Sequence, residues 1–139
     1  MDEYLDIVDE KCRPTGETAL KSEAHAKGLY HNTIHLWLYT TKGEILLQQR
    51  SHKKIIFPLL WDVSVAGHID AGETFIEAVI RETEEEIGLK LEVEALKLVA
   101  LENFEDLLKH SKTNMHFVAS NYDYYLKVHK AIQNKLLKL

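Results

Sequence analysis

The sequence predicts an α/β or α+β fold, a mixed β-sheet covered by helices, and two patterns carry that expectation. Several short segments alternate apolar and polar residues with the period of two that a half-buried strand requires. Two longer segments, 74–87 and the stretch after Asn121, repeat apolar residues at helical spacing. These segments are interleaved with no internal repeat, low-complexity tract or interdomain linker, so a single domain over 1–139 is expected. A chain of 139 residues with 45% hydrophobic content suffices for one modest core.

Tyr4-Leu5-Asp6-Ile7-Val8-Asp9 alternates as a strand, and Arg13-Pro14-Thr15-Gly16 reads as the turn of a hairpin continuing through Glu17-Thr18-Ala19-Leu20. Ser22-Glu23-Ala24-His25 opens a short helix that Gly28 ends. Residues 32–40 and 44–50 form strands around the turn Thr41-Lys42-Gly43. Residues 51–61 have no period and contain Pro58, which makes them a loop leading to a short strand at 62–66, after which 67–72 is another loop. Helix 74–87 places Phe75, Ala78, Val79 and the stem of Glu82 on one side, and Gly88 closes it. Residues 90–100 alternate like a strand, and 102–110 form a short helix. Ser120-Asn121-Tyr122-Asp123 has the form of a capping box before a final helix with Tyr125, Val128, Ile132, Leu136 and Leu139 at core spacing.

Composition narrows the function classes. A net charge of −5 opposes general nucleic-acid binding, which needs a surface that neutralises phosphates, so the expected partner is a small molecule. The lone Cys12 cannot form an intrachain disulfide, which suits the reducing cytoplasm. Met1-Asp2-Glu3-Tyr4 is not the start of a signal peptide, and no run approaches the ~18 apolar residues of a membrane span.

On a helix, Glu82, Glu85 and Glu86 stand at i, i+3 and i+4, where like charges repel by a few tenths of a kcal/mol per pair unless a cation sits among them. A solvated acidic face would look the same. So would a Mg²⁺ site, because hard oxygen ligands grouped this way suit an ion that takes its remaining ligands from water and substrate phosphate. The surrounding run favours the second reading. Gly67-x5-Glu73-x7-Arg81-Glu82-Thr83-Glu84-Glu85-Glu86-Ile87-Gly88-Leu89 resembles the Nudix box, G-x5-E-x7-R-E-U-x-E-E-x-G-U with U a bulky aliphatic residue, and departs from it only at Thr83.

The resemblance implies a Nudix-like fold and a Mg²⁺-dependent hydrolase, with Mn²⁺ as a substitute, cleaving a diphosphate linkage in a nucleoside-diphosphate-type or related substrate. It implies that Glu82, Glu85, Glu86 and the carbonyl of Gly67 bind the metal, that Arg81 and these glutamates form the catalytic set, and that Arg81 pairs with Glu73 to orient them. Glu84 would point elsewhere, into solvent. The hydroxyl of Thr83 needs a partner such as the carbonyl four residues back.

Upstream, Ser22-Glu23-Ala24-His25, Lys27-Gly28-Leu29, His31, Leu46-Leu47-Gln48-Gln49-Arg50 and Phe57-Pro58-Leu59-Leu60-Trp61-Asp62 resemble the Nudix branch related to isopentenyl-diphosphate isomerase. In that isomerase, histidines matching His25, His31 and His68 help bind a metal, and a catalytic cysteine stands where this chain has Ala66. Without the thiol, isomerisation loses one of its two proton-transfer groups, whereas metal-assisted attack of water on phosphorus does not need it. Hydrolase is therefore favoured over isomerase, and His25, His31, His68 and Arg50 become further metal or substrate ligands. Each histidine alone also fits a structural role, and His35, ahead of Leu36-Trp37-Leu38, reads as a hydrogen-bonded strand residue. Lys53 or Lys54 joins Arg50 on phosphate or is merely solvated; Phe57 and Trp61 read as core.

After Gly88 one strand runs almost directly into the helix at 104–108, where Nudix domains usually place further strands and a loop, so the chain reads as shortened after the Nudix helix. A sheet edge exposed by such a loss invites a second copy, which makes a homodimer the expectation. The same shortening leaves a third reading besides hydrolase and isomerase, a weakly active module that binds metal or a diphosphate ligand. The substrate stays open among nucleotide sugars, nucleoside diphosphate derivatives and prenyl diphosphates.

Overall fold

The computed structural model of the chain describes residues 2–42, 44–95, 111–112 and 120–137. Its strands are β1 (Tyr4–Val8), β2 (Pro14–Leu20), β3 (Thr33–Leu36), β4 (Gln48–Gln49), β5 (Trp61–Asp62), β6 (Val65–His68), β7 (Ser111–Lys112) and β8 (Ser120–Asn121). The helices are α1 (Lys21–Lys27), α2 (Phe75–Ile87) and α3 (Tyr122–Leu136), giving the expected α+β class. Every strand pair among the described residues is antiparallel. Two compact units form, one from the residues up to Leu36 together with those from Val65 onward through α2, the other from Trp37–Ser64 and the C-terminal residues.

In the first unit β1 pairs with β2, but the hairpin turns earlier than the sequence places it. Asp9 sets the turn: Oδ1 accepts the amides of Lys11 at 2.8 Å and Arg13 at 3.0 Å, Oδ2 accepts Arg13 Nε at 2.7 Å, and Cys12 takes a left-handed φ of 58°. With the turn closed by the aspartate, Pro14, Thr15 and Gly16 are free to start β2. The other edge of β1 is used as well. Leu5 bridges Asp70, Ile7 bridges His31, and Tyr4 O accepts Ala71 N at 2.8 Å. Leu5 and Ile7 pack with Ala19 of β2 and Ala24 of α1, and Gly28, left-handed at φ 64°, ends α1 as expected.

β3 pairs with β6, in the register Thr33 to His68, Ile34 to Gly67, His35 to Ala66 and Leu36 to Val65. β3 ends at Leu36, so the expected hairpin with 44–50 is made by the residues after it, where Tyr39 bridges Ile45, and Gly67 and His68 end a strand instead of opening a loop. The cause is burial: Ile34 and Val65 face α2 and close a core with its Ala78 and Val79. α2 is framed as its sequence requires, by a reciprocal Thr74–Glu77 capping box and by Gly88 in the left-handed region at φ 69°. Phe75, expected on the buried side, is 41% exposed, because the face that meets β3 and β6 is centred one turn further along. Residues 90–92 are irregular and 93–95 form a 3-10 turn instead of the start of a strand, with Leu91 drawn onto the α2 core. The rest of that expected strand, 96–100, the helix at 102–110 and most of the segment where a shortening would show lie outside the described residues.

In the second unit the turn at 41–42 does reverse the chain, through Thr40 N to Glu44 O and Leu46 N to Leu38 O, both 2.9 Å. The strands beyond it are shorter than expected: β4 is two residues long and pairs with β5, and β7 pairs with β8. Fully buried Ser64 bonds both arms, Oγ accepting Leu38 N at 2.8 Å and donating to Leu46 O at 2.6 Å. In α3 the predicted core residues Val128 and Ile132 are buried against Trp37 and Tyr39, while Ser120 and Asn121 belong to β8 rather than to a cap. Leu139 lies outside the described residues, as do the side chains of Tyr125 and Leu136. No helix among the described residues is long and apolar enough to cross a membrane.

Thr83, the one departure from the box, is fully buried and its Oγ1 donates to Val79 O at 2.5 Å, the partner the sequence calls for. The bond satisfies the hydroxyl but adds little net stability. Thr83→Val should change unfolding free energy by less than about 1.5 kcal/mol, whereas Thr83→Ser, which deletes a buried methyl, should cost about 1 kcal/mol. Urea titration of both variants checks the pair; a loss above about 3 kcal/mol for Thr83→Val would mean that the hydroxyl is indispensable.

Candidate functional site

The box residues gather around one guanidinium. Arg81 of α2 grips Glu73 with two parallel bonds, Nε to Oε1 and Nη2 to Oε2, each 2.8 Å, and the same Nη2 donates to His68 O at 3.0 Å. Its Nη1 reaches Glu82 Oε1 at 3.1 Å and Glu85 Oε2 at 3.4 Å. Glu73 Oε2 also accepts Asp70 N at 3.0 Å, so the loop before α2 and the last residue of β6 are tied to one side chain. The guanidinium holds the Glu73 carboxyl below the usual glutamate range. Burial pushes Glu82 the other way, above it, with Arg81 opposing.

Glu82 lies against Gly67. A Cβ built at Gly67 would collide with Cδ and Oε1 of Glu82, so glycine is what lets the carboxylate approach the β6 backbone. Glu86 Oε2 sits 3.5 Å from Ala66 N, and Glu85 is exposed. Glu84 points away, 3.4 Å from the exposed Lys90 ammonium, as expected. Glu82, Glu85 and Glu86 project from one side of α2 and offer oxygen donors of the kind a hard divalent cation prefers; here the Arg81 charge offsets two of them, and their ligand atoms are not gathered within 4.8 Å of one another.

Beside them is a second cluster. The rings of His25, His31 and His68 have centroids 5.2 to 5.3 Å apart, and one ligand nitrogen from each lies within 4.8 Å of the others. They come from α1, the segment after it, and the end of β6. His31 Nδ1 faces Leu29 O at 2.9 Å, which orients the ring and turns Nε2 to be the nitrogen available for coordination. Burial, helped by Lys21 and the other two imidazoles, pushes His68 down to about 4, and burial also lowers His25. Neutral imidazoles converging in this way fit a borderline divalent ion.

Arg50, the remaining candidate, belongs to the second unit. Its guanidinium is engaged there, Nη1 with Asp62 Oδ2 at 3.1 Å and Nε and Nη2 with Ile56 O at 3.2 and 3.0 Å, so it pins the 51–59 loop. Phe57 and Trp61 are 37% and 41% exposed and are not core; Phe57 and Leu59 have left-handed φ, which turns this loop sharply outward. His35 stands opposite Ala66 on the face that also carries His68. Asp70, 3.8 Å from Arg81 Nη2, and Glu3 and Lys21, which act electrostatically on His68, were not picked out by sequence reasoning. Lys21 stands one turn before His25 on α1, a spacing the sequence does carry, whereas Glu3 meets the cluster only through pairing of segments remote in sequence.

A NUDIX domain family model matches residues 29–132. Nudix hydrolase 3 of Arabidopsis thaliana is 38% identical over 99 residues, 70% of this chain and 13% of that protein. The isopentenyl-diphosphate Delta-isomerase of Burkholderia multivorans is 35% identical over 118 residues, 84% of this chain and 66% of that protein. The crystal structure of DR0079 from Deinococcus radiodurans aligns with a TM-score of 0.53 at 28% identity, covering 63% of this chain and 54% of that one. The chain thus spans less than two thirds of the length of each of these relatives.

The Glu73 to Arg81 bonds have a pH signature. A carboxyl whose folded-state pKa is depressed adds stability that is present above its ordinary value of 4.5 and is lost as pH falls through the folded-state value. Glu73→Gln should therefore be less stable than the parent at pH 7, by about 2 kcal/mol, and the gap should close progressively below pH 4.5. Denaturant titrations at a series of pH values measure it, and a gap constant across the series would show that Glu73 acts only by shape.

Proposed function

The chain belongs to the NUDIX family, and from that premise we propose that it is a divalent-cation-dependent hydrolase that cleaves a diphosphate linkage in a nucleoside-diphosphate-type or related small molecule. The observation that carries this reading is the placing of Glu82 against Gly67 and of Glu86 beside Ala66 N, on the side of α2 where Arg81 also holds Glu82 and Glu85. These carboxylates and the Gly67 carbonyl would hold Mg²⁺, or Mn²⁺, which supplies charge neutralisation for the diphosphate and activates a bound water. Arg81 and Glu73 act as positioning residues, bracing α2 against β6 so that the ligands keep their places. The family match runs through residues of both units and supports taking 1–139 as a single domain. The exposed Cys12 thiol suits a reducing, cytoplasmic setting.

An isomerase-like reading has one observation in its favour, the His25, His31 and His68 cluster, together with the similarity to the Burkholderia isomerase. Ala66 weighs against it, because a methyl group neither gives nor takes a proton. In the hydrolase reading the three histidines form an additional metal or substrate subsite.

Glu85→Gln and Glu86→Gln keep side-chain size and remove ligand charge, so each should weaken Mg²⁺ binding by about tenfold or more and lower turnover while circular dichroism stays unchanged. Mg²⁺ should raise the melting temperature of the parent and do so far less for these variants. Parent-like Mg²⁺ affinity and turnover in both would reduce the three carboxylates to a solvated face. With Mg²⁺ present, the parent should release a phosphate-bearing product from at least one diphosphate compound and leave isopentenyl and dimethylallyl diphosphate uninterconverted. Isomerised product without hydrolysis would overturn the assignment.

A further inference from the structure

Glu3 stands between the two elements that carry His25 and His68. Its carbonyl accepts Lys21 N at 2.8 Å where β2 runs into α1, and the carbonyl of the next residue, Tyr4, accepts Ala71 N at 2.8 Å, just beyond His68 in the chain. Glu3 precedes β1 by one residue, two before Leu5, which packs on Ala24 of α1, and its carboxylate lies on the side of that helix, where it meets Lys21. Lys21 and His25 are one turn apart on α1 and share a face, and the Lys21 ammonium meets the Glu3 carboxylate, Nζ to Oε2 2.9 Å. The Glu3 charge acts on His68 as well. The other nearby carboxylate, Asp2, is held by Ser22, its Oδ2 accepting Ser22 Oγ at 2.5 Å and its Oδ1 the Ser22 amide at 3.3 Å.

Three neutral imidazoles leave a divalent ion with its full charge and an incomplete set of ligands. One carboxylate corrects both deficits. We propose that Glu3 is the carboxylate ligand of the His25, His31 and His68 centre, exchanging the Lys21 ammonium for the ion when the centre is loaded. The proposal rests on reading the histidine cluster as a metal site, and it makes the N-terminal strand, which precedes the residues matched by the family model, part of that site.

The test is Co²⁺ titration of the full chain, followed by visible absorption and calorimetry, with His31→Ala defining which binding belongs to the histidines. Glu3→Gln should raise the Kd of the histidine-dependent site by about tenfold or more and alter its absorption band. Asp2→Asn should leave both unchanged, and Lys21→Met, which removes the competing cation, should lower the Kd. Melting curves establish that each variant is folded. Parent-like Kd and spectrum in Glu3→Gln would overturn the role of Glu3 alone. Equal weakening by Asp2→Asn would replace ligation with a general field effect, and weakening by Lys21→Met would reduce the Glu3 to Lys21 pair to a structural tie. Absence of any histidine-dependent Co²⁺ binding in the parent would overturn the centre itself, and Glu3 with it.

Discussion

The bidentate bond between Arg81 and Glu73 is the constraint on which the first unit's chemistry depends. α2 carries three glutamates whose charges repel at i, i+3 and i+4 spacing, and β6 has to approach that helix closely enough for Gly67 to touch one of them. A single guanidinium meets both demands. Two of its nitrogens grip Glu73 in the loop, one of these also takes His68 O from the strand, and the third offsets Glu82 and Glu85 on the helix. Lysine in that place would supply the charge but not the fork, since a point charge cannot hold a loop carboxylate side-on and still reach a carbonyl and two helix carboxylates.

Held this way, β6 serves two clusters with consecutive residues. Strand alternation sends Gly67 toward α2 and its carboxylates and sends His68 to the opposite face, where His25 and His31 meet it. The two donor sets differ in kind. Oxygen ligands suit a hard ion such as Mg²⁺, and imidazoles suit a borderline one, so in the proposed reading the two clusters would take different cations. β1 supports both arrangements. It bridges Asp70 through Leu5 and His31 through Ile7, and Asp6 Oδ2 accepts Gly72 N at 2.8 Å, so the hairpin fixes the loop that leads from β6 to α2.

What the sequence made legible follows the range of the interactions. α2, its capping box, its Gly88 terminus, the Thr83 partner and the side of α2 carrying Glu82, Glu85 and Glu86 are set within a turn or two, and the residue pattern announces them. The hairpin turn was misplaced because Asp9, not Pro14 or Gly16, makes the bonds that close it. The pairing of β3 with β6 was missed because it joins strands far apart in the chain and is decided by Ile34 and Val65 packing on α2, while the sequence showed only a nearby turn. Among the histidines, resemblance singled out the three that converge, since spacing within the chain does not relate His25 and His31 to His68. Glu3 had no signal, being an ordinary charged residue until long-range pairing places it, while Lys21 and Asp70 lie near His25 and His68 in the chain but are of types that are usually just solvated.

Residue 66 shows how finely reaction class is divided on such a frame. Its amide faces the carboxylates, 3.5 Å from Glu86 Oε2, while its side chain shares a face with His68 and stands opposite His35. A proton-transferring side chain there would have the carboxylate cluster at its backbone and the imidazole cluster beside it, which is a position for acting on a substrate held between them. Alanine keeps the backbone contribution, which any residue supplies, and removes only the side-chain chemistry. Metal-assisted hydrolysis draws on the carboxylates, the Gly67 carbonyl and a bound water, none of which passes through that methyl group. In the proposed hydrolase reading the packing of β6 on α2 stands unchanged around Ala66, and the missing side-chain chemistry at that one residue favours hydrolysis over isomerisation.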